Sequence, residues 1–136
     1  MTGELHLPIG TDVDVVRARQ QGRELAAKAG FSSGDQTVIA AAISEIARNI
    51  LKYARHGDMS LHIQTNGDRE GFVVVASDQG PGIPDVARAM EDGFSTSGGL
   101  GLGLPGAKRL MDEFEIVSVA GHGTTVTMTK WRRLTS

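Results

Sequence analysis

An α+β domain is what this sequence predicts, laid out as a two-layer α/β sandwich. Three observations carry that expectation. Two helical segments come early, the strand-like runs that follow are linked as hairpins, and 136 residues give room for one domain. A chain of this length buries roughly 68% of its unfolded surface, so residues 1–136 are expected to share one core.

Leu5, Leu7 and Ile9 alternate, predicting a first strand that ends near Pro8 and Gly10. Thr11 or Asp12 caps a helix running to about Ala29, with Gly30 as its stop. Ser32, Ser33 and Asp35 offer caps for a long second helix. Its Ile39, Ile43, Ile46, Ala47, Ile50, Leu51 and Ala54 repeat at three and four, which is one apolar stripe. Beyond His56-Gly57, the alternating Met59, Leu61 and Ile63 read as a strand. The polar link from Asn66 to Gly71 reads as a hairpin loop, and FVVVAS (72 to 77) as a buried strand leading into Asp78. A short helix fits Pro84 to Met90, and a glycine-rich loop runs from about Glu91 to Leu104. Pro105 suits the first position of a helix ending near Asp112. Glu115 to Ala120 and Thr124 to Trp131 make a last hairpin, turning at Gly121-His122-Gly123.

Composition narrows the function classes. Fourteen Lys and Arg stand interspersed with 16 Asp and Glu, for a net charge of -2. No footprint for nucleic acid or a membrane surface is therefore expected. The absence of cysteine excludes disulfides, thiolate metal sites and cysteine nucleophiles. MTGELHLPIG lacks the apolar run of a signal peptide, and no segment approaches the roughly 20 apolar residues of a membrane span. These features predict a cytoplasmic protein.

The stretch STSGGLGLGLPGAKRLM (95 to 111) contains a literal G-x-G-x-x-G at Gly101 to Gly106. Three familiar phosphate loops are excluded by its surroundings. A Walker loop needs Lys then Ser or Thr after its last glycine, which is absent. A Rossmann loop needs a buried strand just before it and an acidic residue about 20 positions on, where this chain has EDGFSTSGG and Gly121. The protein-kinase glycine loop needs V-A-I-K and H-R-D, and neither occurs. What remains is chemical: bare backbone N–H groups at the head of a helix suit phosphate. Leu100, Leu102 and Leu104 argue against a loose surface loop.

Two features precede that loop. Glu45, Asn49 and Lys52 fall within an arc of about 60° on the second helix, on a face expected to lie opposite the apolar stripe centred on Ile43 and Ile50. A solvated helix face would explain them, except that Asn is a poor mid-helix residue and needs a reason to be there. Asp78-Gln79-Gly80-Pro81-Gly82 follows the buried strand. It reads as a tight turn, or as a site where Asp78 accepts a hydrogen bond from a ligand amino group and the glycines let backbone come close.

Taken in order, Glu45-x-x-x-Asn49, Asp78-x-Gly80-x-Gly82, Gly99-x-Gly101-x-Gly103 and Gly123-Thr124 resemble the N box, the two G boxes and the closing Gly-Thr of the GHKL ATP-binding superfamily. Within it, DQGPGIPDVARAMEDGFSTSGGLGLGLPGAKRLMDEF (78 to 114), SEIARNI (44 to 50) and the terminal Lys130-Trp131 resemble the RsbT family of serine/threonine kinases from bacterial stress-signalling switches. The resemblance covers essentially the whole chain. It implies the Bergerat fold, a mixed and mostly antiparallel sheet covered on one face by helices, with a glycine-rich ATP lid.

It also implies residue roles. Asn49 would bind the Mg2+ that bridges the ATP phosphates, with Glu45 one turn earlier as general base. Asp78 would fix the adenine amino group with Thr124 assisting, although Thr125 carries the same hydroxyl one residue on. Gly80 and Gly82 would make room for the purine. Gly99, Leu100, Gly101, Leu102 and Gly103 would wrap the phosphates, and Lys52 and Tyr53 would contact phosphate and adenine, unless they are plain helix-end residues. The implied substrate is a STAS-domain antagonist protein, held within a STAS-containing scaffold. The freed kinase would activate a PP2C-type phosphatase. An anti-sigma factor that sequesters a sigma subunit is the alternative. His6, His56, His62 and His122 are scattered and receive no function, Arg132 and Arg133 read as a solvated tail, and Ser95, Thr96 and Ser97 as solvated lid residues.

Overall fold

The computed structural model describes residues 4–82 and 103–134. The expected helix at Pro84 to Met90, and the loop up to Leu102 with Ser95, Thr96 and Ser97, lie outside the described residues.

Strand β1 (Leu5–Ile9) leads into helix α1 (Asp12–Lys28) and helix α2 (Ser33–Ala54). Strands β2 (Gly57–Asn66) and β3 (Arg69–Asp78) follow, then helix α3 (Gly103–Leu110) and strands β4 (Glu113–Val119) and β5 (Gly123–Arg133). The sheet order is β1-β2-β3-β5-β4. Each neighbouring pair of described strands is antiparallel, so the expectation of a mixed sheet gives way to an antiparallel one among the described residues. Tight hairpins account for two of the four pairs: β2–β3 and β4–β5 are joined by turns of two and three residues, too short for a parallel crossover.

The helix caps form where the sequence offers them. Thr11 caps α1 in a full capping box with Asp14, and the Ser32 side chain accepts from the Asp35 N–H at the start of α2. Helix α3 begins at Gly103 rather than Pro105. Pro105 is its third residue, still within the first turn, where a backbone N–H has no partner to lose.

Residues alternate between the two faces of the sheet. The inner face presents Leu61, Met59, Phe72, Val74, Ala76, Val126 and Met128, all buried, to the helices. Helix α2 lies along it through Ile39, Ile43, Ile46 and Ile50, each at most 3% exposed. Helix α1 turns a strip of small residues, Ala18, Gly22 and Ala26, toward this layer. At Gly22 an added Cβ would strike the Ile43 Cδ1, so glycine sets how closely α1 approaches α2. Phe31, in the α1–α2 link, meets Phe72 edge-on with centroids 6.1 Å apart.

Arg132 departs from the expected solvated tail. Its guanidinium lies over the Phe31 ring at 5.6 Å and pairs with Glu70 at 3.3 Å. The cause is register: β5 continues to Arg133, and even-numbered β5 residues face the helices. Arg133 is exposed, as expected.

Candidate functional site

Four elements meet where α2 ends beside the open ends of β3 and β5 and the start of α3. The pocket there is lined by Ile46, Asn49, Ile50 and Tyr53 of α2, Ala76 and Asp78 of β3, Leu104 of α3, and Thr124 and Val126 of β5. Its walls are largely aliphatic, with Asn49, Asp78 and Thr124 as polar points. That mixture suits a flat, mostly apolar ligand held in register by a few hydrogen bonds.

Local structure fixes each polar group. Asp78 is the last residue of β3, and Thr124 is its cross-strand partner in β5. Alternation puts both on the helix-facing side and Thr125 on the other, where it is exposed. The Gly80 N–H donates to Asp78 Oδ1 at 2.9 Å, which orients the carboxylate and uses one of its oxygens. Thr124 is buried, and its Oγ1 lies 2.8 Å from Ser118 Oγ of β4.

Asn49 sits at the border of the buried face of α2. Its face does not lie opposite the apolar stripe as expected. At about 100° per residue Asn49 falls only about 20° from buried Ala42, because the buried arc of α2 is wide. Lys52 points to solvent, its Nζ 5.4 Å from the Tyr53 ring centroid, and does not line the pocket. Glu45 is beside the pocket rather than in its wall. Its side chain is 16% exposed, and its carboxylate pairs with Arg48 Nη1 at 3.0 Å on the same helix.

The motif glycines answer first to the chain itself. At Gly80 an added Cβ would lie 2.6 Å from the Ala54 Cβ, at the end of α2. Gly82 has φ +79 and faces the Val119 carbonyl. Gly123, at φ +121, would drive a Cβ into the Asp78 carbonyl oxygen. These contacts hold the α2 end, the Asp78 turn and the start of β5 at one fixed spacing. At Gly80 and Gly82 the Cβ direction is occupied by protein atoms. Gly103 opens α3, whereas Gly99, Leu100, Gly101 and Leu102 lie outside the described residues.

Sequence reasoning missed the aliphatic wall and Ser118. Ala76 and Val126 were legible by alternation from Asp78 and Thr124; Ser118 required the β4–β5 register. The donor set also bears on metal binding. Asn49 offers an amide oxygen, and no group of three or more His, Cys, Asp or Glu that could hold an ion occurs among the described residues. An amide oxygen is a donor of the kind that a hard cation takes.

Residues 10–130 match the histidine kinase-like ATPase domain family. The serine/threonine-protein kinase RsbT of Bacillus subtilis (strain 168) is 54% identical over 125 residues, covering 92% of this chain and 94% of that protein. The anti-sigma F factor of Thermoanaerobacter sp. (strain X514) is 31% identical over 99 residues, 68% of each chain. Among solved structures, the RsbU and RsbW domains of a Mycobacterium tuberculosis protein superpose with TM-score 0.64 at 25% identity, over 97% of this chain and 33% of that one. The mycobacterial sensor histidine kinase MprB shares the fold, with TM-score 0.55 at 17% identity over 98% of this chain and 99% of the other.

Proposed function

The chain belongs to the histidine kinase-like ATPase domain family, and on that premise we propose how its pocket works and on what it acts. It is an ATP-using serine/threonine protein kinase of the RsbT kind, within the partner-switching group that also includes anti-sigma factors. In our reading its substrate is a hydroxyl of a small STAS-domain antagonist protein carried on a STAS-containing scaffold, and the released kinase activates a PP2C-type phosphatase. The STAS and PP2C partners rest on the resemblance of residues 44 to 50 and 78 to 114 to the RsbT family.

The observation that carries the site reading is the meeting of Asn49 and Asp78 across one aliphatic pocket. The flat base slides between the aliphatic walls, and the Asp78 carboxylate accepts from its exocyclic amino group. A keto oxygen at that position would face the same carboxylate and be repelled. Asn49 would hold Mg2+ by its side-chain oxygen, and the ion, when bound, would neutralise phosphate charge. The N-terminus of α3, beginning with Gly103, would face the phosphates. Glu45 takes the proton from the attacking hydroxyl. Its place beside the pocket suits a hydroxyl delivered by another protein rather than one bound within.

Labelled ATP, a bound STAS partner and nucleotide titrations test this together. Asn49→Ala should lower Mg2+-dependent nucleotide affinity and turnover in parallel. Glu45→Ala should bind nucleotide near normally and lose about 10²- to 10⁴-fold in phosphotransfer. Transfer at the wild-type rate by Glu45→Ala would remove the base assignment. The anti-sigma F relatives favour a second reading, in which sequestration of a sigma subunit is the main act. Absence of phosphate transfer to any bound partner by the wild type would select it.

A further inference from the structure

The direction of the Asp78 carboxylate is set by a chain of contacts that begins on α2. Asp78 Oδ1 accepts from the Gly80 N–H at 2.9 Å, a local turn bond that an Asp makes two residues on. Gly80 in turn rests on the last residue of α2. A Cβ built on Gly80 would lie 2.6 Å from the Ala54 Cβ, closer than real side chains approach. The next neighbours, Ala54 Cα at 3.0 Å and Asp78 Oδ1 at 3.2 Å, are tight without being excluding. Unlike Gly82, Gly80 has no positive φ, so its backbone conformation is open to residues with a side chain. What bars one there is the Ala54 methyl. We infer that Ala54 is a positioning residue for base recognition: its methyl fixes where Gly80 sits, and the Gly80 N–H then aims Asp78 at the ligand amino group. The inference rests on the reading of this pocket as the nucleotide-base site.

A second contact holds the other flank of Asp78 to the same helix. Gly57 is the register partner of Asp78 in β2. A Cβ on it would lie 3.0 Å from the Ile50 Cγ2 and 3.1 Å from the Asp78 Cβ. Gly80 on Ala54 and Gly57 on Ile50 therefore index the Asp78 turn against α2 at two points. Helix α2 also carries Asn49 and Glu45, so the acceptor for the base keeps a fixed spacing from the residues at the phosphate end. The consequence for binding is one of pre-orientation. A carboxylate already held in place need not be ordered by the ligand, and ordering one side chain costs about 3- to 10-fold in affinity. That gain reaches only a base with an amino group for Asp78 to accept from. Ala54 thus adds to the preference for adenine through a contact made wholly within the protein.

The test crowds the contact from each side and then relieves it. ATP and purine riboside triphosphate, which has hydrogen in place of the exocyclic amino group, are titrated by calorimetry. The proteins are wild type, Ala54→Val, Gly80→Ala, Asp78→Asn and a double variant combining Gly80→Ala with Ala54→Gly. Wild type should prefer ATP. Ala54→Val and Gly80→Ala should each weaken ATP by about 3- to 10-fold and leave purine riboside triphosphate nearly unchanged. The double variant only moves one methyl across the contact, so it should recover most of the wild-type preference. A double variant no better than Gly80→Ala alone overturns the inference, since Ala54 is then not what Gly80 rests on. Equal losses on both ligands overturn it as well, because Ala54 then only shapes the pocket wall. So does an unaltered ATP affinity in both single variants. In each of these cases an Asp78→Asn penalty confined to ATP leaves the base-site reading standing. If Asp78→Asn does not reduce the preference for ATP, that reading falls and the positioning role falls with it.

Discussion

Asp78 shows how much one carboxylate can decide. Its Oδ1 is held by the Gly80 N–H, so the group is oriented before any ligand arrives. A hydrogen bond from a ligand amino group to this charged acceptor is worth about 1.5 to 3 kcal/mol. Asp78→Asn should therefore weaken ATP binding by about 10- to 150-fold, and GTP should compete poorly against wild type. Titrations in which GTP binds as well as ATP would remove Asp78 from base recognition. At this scale the sequence was legible where spacing settles geometry. Asp78 and Thr124 both face the pocket because they end neighbouring strands in register, and the same alternation turns Thr125 away. It was not legible where a side chain chooses among partners. Nothing in the order of residues shows that Gly80 is required by Ala54.

The elements carry their own tests. At the start of α1, Asp14 accepts from the Gly10 N–H at 2.8 Å and the Thr11 N–H at 3.1 Å. Foremost the Gly10 hydrogen bond, and with it those of Thr11 and the charge of Arg17, holds the Asp14 carboxyl below its usual range. A carboxyl depressed in the folded state adds stability that is complete above its unfolded value, about 3.9. That stability drains away as pH falls through the lower folded value. Asp14→Asn should thus be less stable than wild type at neutral pH, and the gap should close in acid. Thr11→Ala should cost about 1 kcal/mol by loss of the cap, and chemical denaturation at two pH values reads both. At the other end of the helical layer, Arg55 caps α2 with φ 69 and ψ -35, a conformation costly for any residue with a Cβ. Arg55→Gly should raise stability by about 0.5 to 1 kcal/mol; a lower denaturation midpoint would contradict this. Element boundaries were legible wherever a cap or a hairpin turn marks them. The start of α3 was misplaced because Pro105 is acceptable anywhere in a first turn.

For the molecule as a whole, pocket and core are one construction. Ile46 and Ile50 line the pocket and belong to the hydrophobic core as well. A ligand that binds the folded chain alone stabilises it by about 2.7 kcal/mol when present at 100 times its Kd. ATP with Mg2+ should therefore raise the melting temperature by several degrees, and removing Mg2+ with a chelator should cancel most of the shift in wild type. In Asn49→Ala the chelator should make little difference. The two-layer plan was legible because helices precede hairpins and each apolar stripe has one period. The antiparallel pairing of the described strands and the place of Arg132 were not, since both depend on which strands pair and how far β5 extends.

Helix α2 runs from Ile39, packed against the sheet centre, to Tyr53 at the pocket without a break. Amide hydrogens in a packed helix that opens as one cooperative unit share one opening free energy. Exchange measured at Ile39, several turns from any phosphate, should then slow on adding nucleotide by the same factor as at Ile46 and Ile50. The far end of the helix becomes a gauge of occupancy at the near one.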